Sequence, residues 1–332
     1  MLLSLALSCV SKSPDGPYLD SPVDSAADSV DTTGDSDSPL DSDSHSDSTA
    51  DTDADTDTDA DSDADSDADS DTADPGPEPD RELEFVLVAA GTFQMGCTAS
   101  QYDCESDETE HTVTLTRDYY VATTEVTQHQ FETAMGYNPS DFPDCGNNCP
   151  VDDVSWHEAA KFANLRSVEE GFAECYTCTS ASPPSCVPDG TAYDCEGYRL
   201  LTEAEWEAAA RCGTDYTYAG SDVVEDVAWY HSNSGAGDDY GPNTIATLAP
   251  NDCGLYDMSG NIEEWVQDAY DGDYGPDPAT DPEVTEPPEP DRVIRGGGWE
   301  FDAEYARVAS RVNGWGHASF DASGFRLART AP

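Results

Sequence analysis

Residues 198–213 read YRLLTEAEWEAAARCG. Thr202 stands where a helix N-cap belongs, Glu205 follows three residues later as its capping-box partner, and the alanine-rich run stops at Gly213. A second helix of the same build lies upstream in SWHEAAKFANLRSVEEG (155–171), with Ser155 as cap, an early Glu158 and Gly171 at its end. Around these two helices the chain reads as short strands and turns. Phe85–Gly96, FVLVAAGTFQMG, is strand, glycine turn, strand. Val113–Leu115 alternates with Thr, and Tyr119–Val126 is a further short strand. Beyond Gly213 the chain is rich in Gly, Asn and Asp, and Asp271–Asp291 forms a proline-rich acidic loop. Val293–Ile294 and Ala306–Ser310 read as strands around the triple glycine Gly296–Gly298. The pattern predicts an α+β domain, loop-rich and antiparallel in character, without an internal repeat within 81–332.

The 332 residues carry 71 Asp and Glu against 13 Lys and Arg, a formal net charge of −58. Such a chain repels nucleic acid, whose phosphates need cationic partners. It also avoids anionic membrane surfaces unless something tethers it. No stretch reaches the roughly 18 apolar residues of a membrane-spanning helix. The charge divides unevenly. Residues 1–80 hold 23 Asp and one Glu against one Lys, a net of −23, which leaves −35 for 81–332. All six Trp and every Phe lie in that second part, whose roughly 250 residues can bury a sizeable core.

Met1–Val10, MLLSLALSCV, is a short apolar run ending in small residues and Cys9. It is similar to the end of a bacterial lipoprotein signal, which makes 1–9 a signal segment and Cys9 the lipidated residue. From there to residue 80, Asp alternates with Ser, Ala or Thr; Asp51–Asp71 reads DTDADTDTDADSDADSDADSD. Neither face of that alternation is apolar, so it is no strand. Too little apolar surface is present to offset ordering entropy, and 10–80 is expected to be a disordered, self-repelling stalk. A loose Ca²⁺ sponge is the alternative, but no EF-hand spacing of Gly and Glu occurs.

Seven segments carry a resemblance in family order: FVLVAAGTFQMG (85–96), HTVTLTRDYYVATTEVT (111–127), CPVDDVSWHEAAKFAN (149–164), YRLLTEAEWEAAAR (198–211), CGLYDMSGNIEEW (253–265), RVIRGGGW (292–299) and SGFRLAR (323–329). Together they resemble the domain of the formylglycine-generating enzyme, or sulfatase-modifying factor, family. The resemblance implies a C-type-lectin-like α+β fold over 81–332. Leu201 departs from the family's usual Pro and Glu263 from its usual Trp.

In the catalytic members, copper is bound by a cysteine pair between the glycine-tryptophan segment and the GFR segment. Here the interval Trp299–Phe325 contains no cysteine. Asp302, Glu304 and His317 are hard or borderline ligands and cannot replace thiolates for Cu(I). No copper is expected, and catalysis is left open, with no catalytic residue assigned. The six histidines (45, 111, 129, 157, 231 and 317) show none of the ligand spacings of the family's iron-dependent branch. The expected role is recognition of an extracellular protein or glycan at a groove lined by Trp315, Arg311 and His317, with an outer-membrane lipid anchor. The alternative is an oxidase acting on Cys-x-Pro-x-Arg peptides through residues not identified. The resemblance further implies structural calcium around the GN-x-x-E motif. Glu264 and Asn261 would give side-chain oxygens there, and Ser259, Gly260 and Ile262 carbonyls. A second site would use Asn233 with Asp238 or Asp239.

Ten cysteines remain beside Cys9, an even number that suits five disulfides in an exported protein. Local spacing pairs Cys97 with Cys104 and Cys145 with Cys149, which leaves Cys212 to join Cys253. Cys175, Cys178, Cys186 and Cys195 pair among themselves, a zinc site at Cys175-x-x-Cys178 being the rival. Trp265 and Trp299 are expected in the core and Trp315 at the surface. Gly296–Gly298 is expected to be a strand turn rather than a phosphate cradle. Arg295, Arg307, Arg311 and Arg326 face abundant carboxylates, and at least two are expected to pair internally.

Overall fold

The structure, a computed structural model, describes residues 80–237, 240–285 and 291–332. All of them fall in the unit Ser70–Pro332 of the chain. The signal segment, Cys9 and the expected stalk, apart from Asp80, lie outside the described residues.

Helices form where caps permit. α1 (Gln128–Met135) starts on Thr127, whose side chain accepts from Gln130 N–H while the Gln130 side chain returns to the cap amide, and it ends on Gly136 at φ 83°. α2 (Trp156–Glu170) and α3 (Glu203–Arg211) start on the predicted capping boxes of Ser155 with Glu158 and Thr202 with Glu205. α3 stops at Cys212 rather than Gly213, with Cys212 itself left-handed at φ 45°. A single turn, α4 (Val224–Val227), follows.

The strands are short. β1 (Phe85–Val88) pairs antiparallel with β4 (Tyr119–Ala122), which also takes β12 (Ala328–Thr330). β2 (Gly91–Met95) pairs with β3 (His111–Leu115), whose other edge takes β8 (Ala279–Thr280) from within the acidic loop. β5 (Tyr176–Cys178) and β6 (Cys186–Pro188) make a hairpin in the cysteine-rich insertion. The last sheet has the order β10-β9-β7-β11, built from β7 (Glu263–Ala269), β9 (Asp291–Arg295), β10 (Arg311–Trp315) and β11 (Ser323–Gly324). β10 is therefore an edge strand.

Two element predictions shift. Tyr119–Val126 is a strand only to Ala122, and the following capping box opens α1, which the sequence reading missed because eight residues carry little apolar periodicity. The strand expected at Ala306–Ser310 begins at Arg311 instead. Ala303–Ala306 is a 3₁₀ turn, and Val308 N–H is drawn off to the Thr217 carbonyl. The triple glycine is a turn, as expected, and Gly297, at φ 65°, needs its missing Cβ because one would lie 2.7 Å from the Tyr305 carbonyl.

Two hydrophobic clusters fill the interior. One joins Val113, Tyr119, Val121, Trp206 and Val266; the other packs Phe131, Trp156, Phe162, Trp265 and Phe325 around α2. Buried ion pairs accompany them: Arg199 with Glu205, Arg211 and Arg295 with Glu207, Arg307 with Glu108, Arg311 with Glu203 and Arg326 with Glu264. A buried guanidinium without a carboxylate is strongly unfavourable, so the pairs of Arg295, Arg307, Arg311 and Arg326 each hold two distant chain segments to one geometry. All five disulfides form: 97–104, 145–149, 175–195, 178–186 and 212–253. Cys175 and Cys178 are thus bonded to other cysteines, and the zinc alternative falls. Disulfides of this number persist in oxidising compartments, so the domain is that of an exported protein. Among the described residues no helix is long and apolar enough to cross a membrane.

Candidate functional site

The interval between the triple glycine and the GFR segment is packed with aromatic rings. Trp299 meets Phe142 and Tyr240 edge-on, at centroid separations of 5.0 and 4.8 Å. Phe301 packs against the same cluster and lies 5.6 Å from Tyr305. Every cysteine among the described residues is in a disulfide. The one group of three or more ligand-type side chains close enough for a metal there is Cys97, Cys104 and Glu108, whose sulfurs are bonded to each other. Among the described residues no free thiol is left for soft ligation of Cu(I).

The GN-x-x-E loop is positioned by its own backbone. Gly260 and Asn261 are both left-handed, at φ 77° and 64°, and a Cβ at Gly260 would run into the Trp229 carbonyl. Asn261 spends its side chain inside the protein: its Oδ1 accepts from Asn243 N–H at 2.9 Å and its Nδ2 donates to Glu125 at 3.2 Å. Ser259 Oγ donates to the Ala306 carbonyl and accepts from Ala219 N–H. Ile262 is buried against Trp299.

Glu264 departs from the calcium expectation. Its carboxylate accepts from Arg326 at 2.8 Å through Nε and 2.6 Å through Nη2, and from the Trp206 indole at 2.8 Å. A guanidinium occupies the role expected of the ion, so Glu264 does not fit a calcium shell. One cation faces three buried carboxyls here. Burial, then Asp257 and Glu264, push Glu125 well up, and burial raises Asp257 to about 6. At the second expected site, Asn233 is a turn residue: its side chain accepts from Tyr230 N–H and donates to the Ala228 carbonyl. Asp238 and Asp239 lie outside the described residues.

The expected groove is only partly assembled. Trp265 and Trp299 are buried, while Trp315 is 56 % exposed on β10. Arg311 does not join it. The guanidinium is buried, chelated by Glu203 through Nε at 2.9 Å and Nη2 at 2.8 Å, and stacked on Tyr274 and Tyr270. It opens β10, four residues from Trp315, and serves the ion-pair system with Arg295, Arg307 and Arg326. His317 does stay with Trp315, at a centroid separation of 5.1 Å. It also meets a residue the sequence reading left unassigned: His157, from the first turn of α2, places its Nε2 3.2 Å from His317 Nε2. His157 Nδ1 accepts from Cys186 N–H at 3.1 Å. Burial, with His317 and Arg292 beside it, lowers His157 to about 4 and keeps it neutral. Arg292 stacks on Trp156, 3.8 Å from the ring centroid, and donates to the Gln267 carbonyl. Asn313, two residues before Trp315, is exposed too and donates to Asp291 at 3.2 Å. The alternation N-G-W-G-H at 313–317 was the available sequence signal for this row.

The sulfatase-modifying factor enzyme 1-like domain matches residues 71–331. The chain is 32 % identical over 254 residues to the chaperone protein LppX of Paenibacillus barcinonensis, covering 68 % of this chain and 82 % of that protein. It is 29 % identical over 298 residues to the formylglycine-generating enzyme of Streptomyces coelicolor, covering 78 % and 94 %. Among solved structures, Treponema denticola variable protein 1 superposes with a TM-score of 0.65 at 31 % identity, over 76 % of this chain and 96 % of that one.

Proposed function

The chain belongs to the sulfatase-modifying factor family, and from that membership we propose that it is a non-catalytic member, a recognition module for an extracellular protein or glycan. One observation carries the reading: every cysteine in the domain is spent in a disulfide, so the family's copper chemistry has no thiolate to act through. Aromatic rings fill the interval where the pair would stand, and Trp315 with His317 offers an exposed patch on the neighbouring sheet edge. The similarity to a protein named as a chaperone agrees with a binding role. Cys9 as a lipid anchor and 10–80 as an acidic stalk complete the proposal: a domain held off an outer membrane.

The second reading, oxidation of a substrate cysteine to formylglycine, draws on the Streptomyces coelicolor enzyme, 94 % of whose length is matched. One experiment separates the two. The protein is incubated with a Cys-x-Pro-x-Arg peptide, copper and oxygen, and the peptide is weighed by mass spectrometry. An unchanged mass is expected. Loss of the thiol with gain of the aldehyde overturns the recognition reading.

A further inference from the structure

Among the described residues β10 is unpaired along its outer edge, and its side chains alternate. Gly314 faces the core so closely that a Cβ would lie 2.8 Å from Phe320, 2.9 Å from Trp265 and 3.1 Å from Ile294. Gly316 faces inward as well, where a Cβ would sit 3.3 Å from Arg292 Cγ and 3.9 Å from His157 Nε2. The exposed residues between and beside these glycines are Asn313, Trp315 and His317, with Asp291 opposite Trp315 in the register of β9. We propose that Asn313, Trp315, His317 and Asp291 form a binding row for a neutral saccharide. The proposal rests on the recognition reading above and names its ligand class.

The histidine pair decides what the row can offer. A backbone N–H is always a donor, so the Cys186 amide on His157 Nδ1 fixes the neutral tautomer of His157 with its proton on Nε2. That proton points at His317 Nε2, 3.2 Å away, which must accept. His317 then carries its own proton on Nδ1, a donor on an exposed ring beside Trp315. The same geometry excludes a metal shared by the two Nε2 atoms, because His157 Nδ1 would then hold a proton against the Cys186 N–H. The row combines a flat apolar ring, an imidazole donor, an amide and a carboxylate. An aromatic face packs against the C–H side of a sugar ring, while a few fixed polar groups take its hydroxyls. Charge selects against acidic sugars. The domain nets −35, and Asp291 lies in the row itself. Arg292, the nearest cation, is buried under Gly316.

The full-length protein is applied to arrayed cello-, malto-, chito- and N-acetyllactosamine oligosaccharides beside sialylated and sulfated ones, at neutral pH. A neutral oligosaccharide is expected to bind. Trp315→Ala, an exposed change, should weaken it by about tenfold or more, and His317→Phe, which removes the Nδ1 donor but keeps a ring, should weaken it as well. Binding of acidic sugars alone, binding indifferent to Trp315→Ala, or no binding at all overturns the row. If no saccharide binds and the Cys-x-Pro-x-Arg peptide stays intact, the saccharide assignment fails while recognition stands. Conversion of the peptide removes both.

Discussion

Replacing Glu264 by Gln separates two accounts of the GN-x-x-E loop. In the structure Glu264 neutralises Arg326, which is fully buried and otherwise bonded to the carbonyls of Ala122 and Tyr256. Removing one partner of a buried pair costs about 3–5 kcal/mol, since the other charge is left uncompensated. Glu125 and Asp257 lie close enough to interact with Arg326, and both are held toward the protonated form by burial. One of them can ionise in the variant and take up part of the charge, which puts the loss near the lower limit, ~3 kcal/mol. For a domain of this size that corresponds to a fall in Tm of roughly 6–12 °C. Thermal unfolding followed by near-ultraviolet circular dichroism reads it from the tryptophans. Excess chelator should leave the wild-type midpoint unchanged, because the carboxylate's cation is a side chain. The reasoning is refuted if Glu264→Gln moves Tm by less than about 2 °C. It is equally refuted if chelator alone reproduces the variant's loss, for then the site holds a metal ion.

Three further outcomes are expected. Asp152 is fully buried, accepts from Asp141 N–H through one oxygen and has no partner for the other; burial raises it to about 7. A carboxyl raised on folding contributes stability that is complete below its unfolded value, near 4, and is lost as pH rises through about 7. Tm should therefore fall between about pH 4 and pH 7, and Asp152→Asn should flatten that fall; an equal slope in the variant contradicts the assignment. Alkylation of the denatured, unreduced protein should label none of the ten cysteines from Cys97 to Cys253, and two or more labelled sites would break the five-disulfide pattern. If Cys9 carries a lipid, Cys9→Ser should move the protein from the membrane fraction to the medium, and unchanged fractionation removes the anchor.

What the sequence disclosed was local. The capping boxes of α2 and α3 need only four consecutive residues, the disulfides of Cys97 and Cys145 follow from nearness in sequence, and that of Cys212 follows from parity once the others are paired. What it concealed was long-range. Glu203 lies 108 residues before Arg311, Glu264 62 before Arg326, and His157 160 before His317. The excess of acid says that each arginine will find a carboxylate but not which one, so Arg311 was expected in the groove and Glu264 around calcium. The arithmetic of cations explains why each meets an ion-pair partner instead. Residues 81–332 have only 12 Lys and Arg. Seven of them, Arg199, Arg211, Arg292, Arg295, Arg307, Arg311 and Arg326, are buried, and all but Arg292 pair with a glutamate. A fold that spends its guanidiniums inside leaves its exposed faces to carboxylates, amides and rings. Whatever this domain recognises must then be met by groups such as Trp315, Asn313 and His317.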